Sequence, residues 1–230
     1  MQTTQTARTP QQITLRPGRI RSHRKTAAGM EAATATYEVT IENLTPMTGE
    51  GSSQPFSPAI LATHRGRLDV LERQGFATDE LAMVAEDAIS GPLVEKLSMS
   101  RFVSDVSQGD GVTFPGAESR FEISASVDAK KLSIVFMLVN TNDAFGWLDS
   151  AKLPKSGEAV YMVGAYDAGT EANTEAISDI PGPCCGNPGM GEDEHMKIRH
   201  HDGILGIGDL DSETWGWSGP VARVTITRVH

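Results

Sequence analysis

Residues 132–139 read LSIVFMLV and lead directly into the polar loop NTND at residues 140–143. A second run, AVYMVGAY at residues 159–166, leads in the same way into DAGTEAN at residues 167–173. Both runs are short, rich in β-branched or aromatic residues and bounded by turn-forming residues, which is typical of buried strands and not of helices. They predict two core strands whose polar loops lie together at one end of a sheet.

These loops carry three carboxylates, Asp143, Asp167 and Glu171. Crowded carboxylates repel one another unless a cation lies among them, and Ca²⁺ prefers hard oxygen ligands of this kind. The pattern therefore predicts a Ca²⁺ site formed by these three side chains, with Asn142, Thr170 and loop carbonyls completing the coordination. The alternative is a solvated loop rim in which the aspartates form Asx turns.

Charge is distributed unevenly along the 230 residues. The net charge is −10, yet residues 1–30 contain six basic residues and no acidic one, which leaves 14 basic against 30 acidic residues and a net charge of −16 in the remainder. An acidic body argues against nucleic acid as a partner, because phosphate contacts need cations. It is compatible with a cation-binding or extracellular protein.

The first 35 residues have few apolar side chains and no sustained periodicity, which predicts a basic, flexible arm. Such an arm is either a solvated tail or a means of assembling a structural subunit, if it binds the acidic body of another copy. The N-terminus lacks the apolar core of a secretory signal, and its composition is also compatible with a transit peptide. No run approaches the roughly 20 apolar residues needed to span a bilayer.

The rest of the chain alternates strand patterns with one helical insertion. Further strands are predicted at residues 37–44, 59–64, 120–127 and 221–229, and an amphipathic helix at residues 78–88 begins with Thr78 or Asp79 as its N-cap. A shorter helix follows Gly91. About seven or eight short strands predict an all-β antiparallel sandwich over residues 36–230, with its first and last strands adjacent.

Seven segments in order resemble a spondin-type domain, the amino-terminal domain of the F-spondins and mindin in its single-domain microbial form. Each segment is short, and together they span about residues 36–230. They are YEVTIENLT (37–45), QPFSP (54–58), LAMVAED (81–87), MLVNTNDAF (137–145), AYDAGTEAN (165–173), HDGI (201–204) and PVARV (220–224).

This resemblance implies a C2-like antiparallel β-sandwich that holds one Ca²⁺ at the edge of the sheet. It implies a non-catalytic adhesion, recognition or surface-assembly role at the cell surface or outside the cell, with a protein or surface glycan as partner and possible self-association. The ligands of the family correspond here to Asp143, Asp167 and Glu171. Glu171 stands where the animal proteins have Asp, so the reach of the third ligand differs.

A cluster of sulfur and imidazole side chains predicts a second kind of site. These residues lie within positions 184–201 and are Cys184, Cys185, Met190, His195, Met196, His200 and His201. Their ligand types suit copper or zinc, so a metal-handling or redox protein is the alternative function. Adjacent cysteines, about 3.8 Å apart at their Cα atoms, are awkward chelators and form a strained disulfide, which favours free thiols or bridges to another chain. His201 is predicted to have a structural hydrogen-bonding role.

Catalytic signatures are missing from the sequence. It contains no Gly-x-Ser-x-Gly elbow, no phosphate-binding Walker loop and no His-Glu-x-x-His helix. We therefore expect a binding protein and not an enzyme.

Overall fold

A computed structural model describes residues 34–48, 51–69 and 71–229 of the protein. The predicted basic arm lies outside the described residues except for Thr34 and Ala35, which already belong to the first strand. Nothing in the described part therefore tests a flexible or an assembling arm. No helix within those ranges has the length and apolar character needed to cross a membrane.

Short strands dominate the described residues. In chain order they are β1 Thr34–Asn43, β2 Met47–Thr48, β3 Gly51–Ser52, β4 Ile60–His64, β5 Glu72–Arg73, β6 Phe76–Ala77, β7 Val103–Gln108, β8 Glu118–Ser126, β9 Lys131–Met137, β10 Ala144–Lys152, β11 Glu158–Val163, β12 Ala165–Asp167, β13 Arg199–His200 and β14 Ala222–Arg228. The helices are α1 Asp79–Asp87, α2 Gly91–Met99, α3 Ser212–Trp215 and a 3₁₀ helix at Ile177–Asp179.

Two antiparallel sheets form the sandwich. One has the order β11-β14-β1-β8 and the other the order β13-β12-β10-β9-β4-β7, while β2-β3 and β5-β6 form two small hairpins. β1 pairs with β14, with Tyr37 opposite Arg228 and Asn43 opposite Ala222. The predicted all-β antiparallel sandwich and the adjacency of its first and last strands are thus confirmed.

Strand β9 is the centre of the six-stranded sheet and is buried on both faces. Alternate side chains such as Ile134 and Phe136 enter the core between the sheets, where the Phe136 ring lies 4.2 Å from that of Phe56. Val135, on the other face, packs in a second core beneath the helices. A strand buried on both faces reads as a continuous apolar run, which explains the pattern in the sequence.

Helices α1 and α2 form that second core. Thr78 caps α1 by accepting a hydrogen bond from the backbone N–H of Leu81 through its side chain, and Pro92 lies in the first turn of α2. Leu81 and Leu93 are fully buried with Val135. The helices lie between β6 and β7 in the chain, so the predicted helical insertion is confirmed.

The run at residues 159–166 is not the single strand that the sequence predicts. It is interrupted at Gly164, because β11 pairs with β14 in one sheet and β12 pairs with β10 in the other. Val163 and Ala165 are both buried although they belong to different sheets. Apolar alternation indicates burial but not the sheet that provides it, so the sequence pattern continues across the crossing.

The two ends of the sandwich differ in composition. At one end, here called the Asp143 end, β9 leads into β10, β12 ends at Asp167 and β1 ends at Asn43. At the other, the Tyr37 end, Tyr37 of β1 is opposite Arg228 of β14 and Ile123 of β8. The polar loops highlighted by the sequence lie at the Asp143 end.

Replacing Gly146 in β10 by Ala should destabilise the protein. A Cβ atom at this position would lie 2.2 Å from two ring carbons of Phe136, which is fully buried and cannot move aside freely. We expect a loss of about 1–3 kcal/mol in the free energy of unfolding, as for other overpacked cores. Denaturant unfolding followed by circular dichroism measures it.

The matched control is Gly164→Ala, because a Cβ atom there meets nothing within 4 Å. Its unfolding free energy should stay unchanged or increase slightly. Equal losses in the two variants would contradict the proposed packing of Phe136 against β10.

Candidate metal centre

Pairing of β10 with β12 brings the first two predicted ligands together. Ala144, which follows Asp143, is opposite Asp167 in the register of these strands, and the Ala168 N–H donates to the Asp143 carbonyl. The loop before β10 is held by Thr141, whose hydroxyl donates to the Leu138 carbonyl at 2.6 Å and accepts from the Ala144 N–H at 3.0 Å. Asp143 and Asp167 therefore lie at adjacent strand ends.

The Asp143 carboxylate has no exposed surface, and only one of its two oxygens accepts hydrogen bonds. Its Oδ2 accepts hydrogen bonds from the Thr170 N–H at 2.9 Å, the Thr170 hydroxyl at 3.3 Å and the Glu171 N–H at 3.2 Å. Its Oδ1 is buried without a hydrogen-bond partner. Burial, followed by the nearby charge of Asp167, raises the pKa of Asp143 to about 7.

Asp167 is more fully paired than Asp143. Its Oδ1 accepts from the Gly169 N–H at 2.7 Å, and its Oδ2 accepts from the Asn173 amide at 2.5 Å. Nη2 of Arg199 lies 2.8 Å from the same Oδ2 and 2.9 Å from an oxygen of Glu194. Burial raises the pKa of Asp167, whereas Arg199 opposes the shift. One guanidinium therefore already neutralises part of the acidic cluster.

His201 orients the amide that contacts Asp167. Its Nδ1 accepts from the Gly203 N–H at 3.0 Å, which leaves Nε2 to donate to the side-chain Oδ1 of Asn173 at 3.1 Å. Burial lowers the pKa of His201 to about 4, so the ring is neutral near pH 7. The structural hydrogen-bonding role predicted for His201 agrees with these contacts.

Glu171 is buried next to the same group. The backbone of Gly191 lies against its side chain so closely that a Cβ atom there would be 2.0 Å from the Glu171 carboxylate carbon. Burial raises the pKa of Glu171 to about 8, and the charges of Glu86, Asp143 and Asp87 add to the shift. This environment therefore favours either a protonated Glu171 carboxyl or a cation beside the carboxylate.

Glu86 and Asp87 are members of this acidic environment that the sequence reasoning did not identify as such. They are the last two residues of helix α1, whose last turn contains no basic residue. Negative charge is unfavourable at a helix C-terminus because of the helix dipole. Two acidic residues at the C-terminal end of a predicted helix are the sequence signal from which a cation-attracting region could have been predicted.

Negative charge exceeds positive charge at this site. Asp143, Asp167 and Glu171 carry three negative charges when ionised, and Arg199 supplies one positive charge beside them. These four groups alone sum to −2, and Glu194, which shares Arg199, makes the cluster more negative when it is ionised, as do the nearby Glu86 and Asp87. The unpaired Asp143 Oδ1 and the Glu171 carboxylate are hard oxygen donors. Oxygen donors of this type are the ones that Ca²⁺ prefers.

Full convergence of the three carboxylates is not seen in this conformation. Among the residues that the structure describes, no three His, Cys, Asp or Glu side chains are placed so that they could hold one metal ion together. Asp143, Asp167 and Glu171 as a common ligand set therefore remain a prediction, and binding through all three requires some movement of the side chains.

The sulfur and imidazole residues are arranged differently from the soft-metal site considered above. Cys184 and Cys185 form a disulfide with each other, so the expectation of free thiols or interchain bridges is wrong for this structure. The turn at Gly182 lets the segment dock on the loop after β9, where the Cys184 N–H donates to the Asn140 side chain at 3.2 Å. The two sulfurs pack with Ile180 in a small apolar cluster.

The histidines of this segment have separate aromatic partners. His195 stacks on Phe76 with ring centroids 5.0 Å apart, and His200 stacks on Tyr166 at 4.8 Å. With both cysteines oxidised, the described residues do not bring soft ligands together. No contact within residues 34–48, 51–69 and 71–229 favours the copper- or zinc-handling alternative.

Comparisons with known proteins leave the family open. No protein-family model matches the chain, and no curated protein matches it. The fold and the site therefore define a class only: an all-β antiparallel sandwich with a buried acidic cluster at one end.

Asp143→Asn should make the metal-free protein less sensitive to rising pH. The pKa of Asp143 is about 7 in the folded protein and about 3.9 in an unfolded chain, so between these values the folded state retains a proton that the unfolded state has released. Stability from this group is therefore present below about pH 4 and is lost as pH rises towards 7, with a limiting slope of about 1.4 kcal/mol per pH unit. Asn removes this dependence.

Unfolding free energies of wild type and variant, measured in EDTA from pH 4 to 8, provide the test. The control Asp110→Asn changes an exposed carboxylate elsewhere and should leave the profile parallel to that of wild type. Parallel profiles for Asp143→Asn and wild type would show that Asp143 ionises normally.

Proposed function

We propose that the protein is a Ca²⁺-binding, spondin-like β-sandwich that recognises a protein or surface glycan at the cell surface or outside the cell, without catalysing a reaction. The observation that carries this proposal is the fully buried Asp143 carboxylate with one unpartnered oxygen beside Asp167 and Glu171. An uncompensated buried charge is expensive, so the site favours either protonation or a cation.

The chemistry of the site favours Ca²⁺ over Mg²⁺. Ca²⁺ accepts six to eight oxygen ligands in irregular geometry, whereas Mg²⁺ requires near-octahedral coordination at shorter distances. The donors here come from loops that are already occupied by hydrogen bonds to Thr170, Gly169 and Asn173. Loops held by these hydrogen bonds do not rearrange readily into a regular octahedron at short distances, which favours the larger ion with its tolerance of irregular coordination.

Asp143 and Asp167 organise the backbone of residues 167–173 in addition to supplying donors. Asp143 accepts from two backbone N–H groups of this loop, and Asp167 accepts from a third. When bound, Ca²⁺ would supply positive charge to this cluster and hold the loops after β9 and β12 together. A cation at this point thus stabilises the shape of the whole Asp143 end.

Recognition outside the cell is supported by two further features. The seven segments that resemble a spondin domain include both acidic loops, MLVNTNDAF and AYDAGTEAN. The Cys184–Cys185 disulfide is a bond that persists in oxidising compartments. An acidic body also supports protein or glycan partners over nucleic acid.

Thermal unfolding with and without Ca²⁺ tests the metal site. A ligand that binds only the folded state stabilises it by about 2.7 kcal/mol at a hundredfold excess over its dissociation constant. For a chain of this size that corresponds to a rise of roughly 5–10 °C in the melting temperature. We expect Ca²⁺ to give this rise, EDTA to reverse it and Mg²⁺ to give little.

Asp143→Asn should lose the Ca²⁺-dependent rise while keeping the fold, because the amide retains the size of the carboxylate but not its charge. Asp110→Asn, which removes an exposed charge, should retain the full rise. A wild-type protein with no Ca²⁺ response, or equal responses in both variants, would contradict the proposed site. Binding to immobilised surface glycans and matrix proteins, compared in Ca²⁺ and EDTA, then tests recognition.

A further inference from the structure

Two large aliphatic side chains project into solvent at the Asp143 end. Leu205 is 58% exposed and Ile207 is 69% exposed, and Gly206 between them has a positive φ of 76° that turns the chain. We call these two residues the apolar tip. Two exposed side chains are a small apolar surface, so they indicate a contact only together with a complementary partner surface.

A buried glutamate fixes the apolar tip. Glu175 is 3% exposed, and its two carboxylate oxygens accept from the Leu205 N–H at 2.6 Å and the Ile207 N–H at 2.8 Å. The Asp209 N–H donates to the Glu175 carbonyl at 2.8 Å. Hydrogen bonds to Glu175 therefore fix the backbone of this loop, and the side chains of Leu205 and Ile207 are exposed on it.

Acidic residues flank the apolar tip along the chain. Asp202 precedes it, and Asp209, Asp211 and Glu213 follow it, all of them exposed. Gly206 approaches Ser212 of α3, which places the tip beside these last two acids. The Asp143 end therefore has a small exposed apolar surface with acidic residues next to it.

The Tyr37 end carries the opposite arrangement. An open cavity of about 240 Å³ lies there between the sheets, with Tyr37, Val127, Leu153 and Pro154 among its apolar lining residues. Four cationic residues, Lys130, Lys152, Lys155 and Arg228, line the same cavity, and no acidic residue within the described ranges does. We call it the basic cavity.

The apolar tip and the basic cavity match in size and in charge. A cavity of about 150 Å³ accommodates benzene, so 240 Å³ accommodates one branched aliphatic side chain and part of a second. Four acidic residues flank the tip, and four cationic residues line the cavity, so the two surfaces carry opposite charge. About 20 Å of β1, from Tyr37 to Asn43, separates the two ends, so the two surfaces cannot meet within one molecule.

We propose that the protein associates with itself head to tail, with the apolar tip of one copy inserted in the basic cavity of the next. This contact joins two different surfaces, so it leaves one free tip and one free cavity and extends into an open chain of copies. The inference goes beyond the proposed function and does not depend on a cation at Asp143.

Complementation between two variants tests the proposal. The tip variant is Leu205→Lys/Ile207→Lys, and the cavity variant is Lys130→Glu/Lys152→Glu; all four residues are exposed, so both proteins should keep the wild-type circular dichroism spectrum. In sedimentation velocity up to about 1 mM, wild type should form species that grow with concentration. Each variant alone should remain a monomer.

A mixture of the two variants should form a complex with one copy of each, because it contains one intact tip and one intact cavity. The matched control Val160→Lys/Met162→Lys alters two similarly exposed apolar residues on β11 and should assemble like wild type. All samples are measured in Ca²⁺ and again in EDTA, which separates this proposal from the metal site.

Four outcomes would overturn the head-to-tail contact. Wild type that stays monomeric at every concentration removes it, and so does a mixture that contains only monomers. Assembly that survives in the cavity variant shows that the acidic tip binds another basic segment, such as residues 1–30. Assembly lost only in the β11 control assigns self-association to the free edge of the four-stranded sheet.

Discussion

Burial of β9 on both faces is the constraint on which the rest of the structure depends. One face supplies Ile134 and Phe136 to the core between the sheets, and the other supplies Val135 to the core beneath α1 and α2. The strand is also central in its sheet, with β4 and β10 hydrogen-bonded to either side. That position carries the polar loop after β9 to the edge where β12 ends, and so creates the acidic end of the sandwich.

The Asp143 end is held by polar side chains that are themselves buried. Asp143 and Asp167 fix the loop after β12, Glu175 fixes the loop around Leu205, and Asn140 holds the disulfide segment. Arg199 compensates part of the negative charge, and what remains is what a divalent cation would neutralise. The same carboxylates thus have two roles. They hold the loops in place by hydrogen bonds, and they produce the negative electrostatic potential that would attract a cation.

Negative charge and apolar surface coincide at one end, and positive charge and an apolar cavity coincide at the other. This polarity is compatible with a module that assembles at a surface while its cation-binding loops stay ordered. The two proposals remain separable, because the tip is anchored by Glu175 whereas the cation-binding prediction centres on Asp143.

Local patterns determined much of this protein from sequence alone. Alternating or continuous apolar residues predicted the sandwich, and an apolar stripe with Thr78 or Asp79 as N-cap predicted α1. The loops after the apolar runs singled out Asp143, Asp167 and Glu171 as cation ligands, which stays a prediction. Tertiary structure alone decided which sheet each strand joins: the run through Gly164 divides between two sheets because burial looks the same in either. It also decided the pairing of Cys184 with Cys185, the counter-charge from Arg199 and the nearness of Glu86 to Glu171. These are contacts between residues set by chain packing, and neither spacing nor periodicity encodes them.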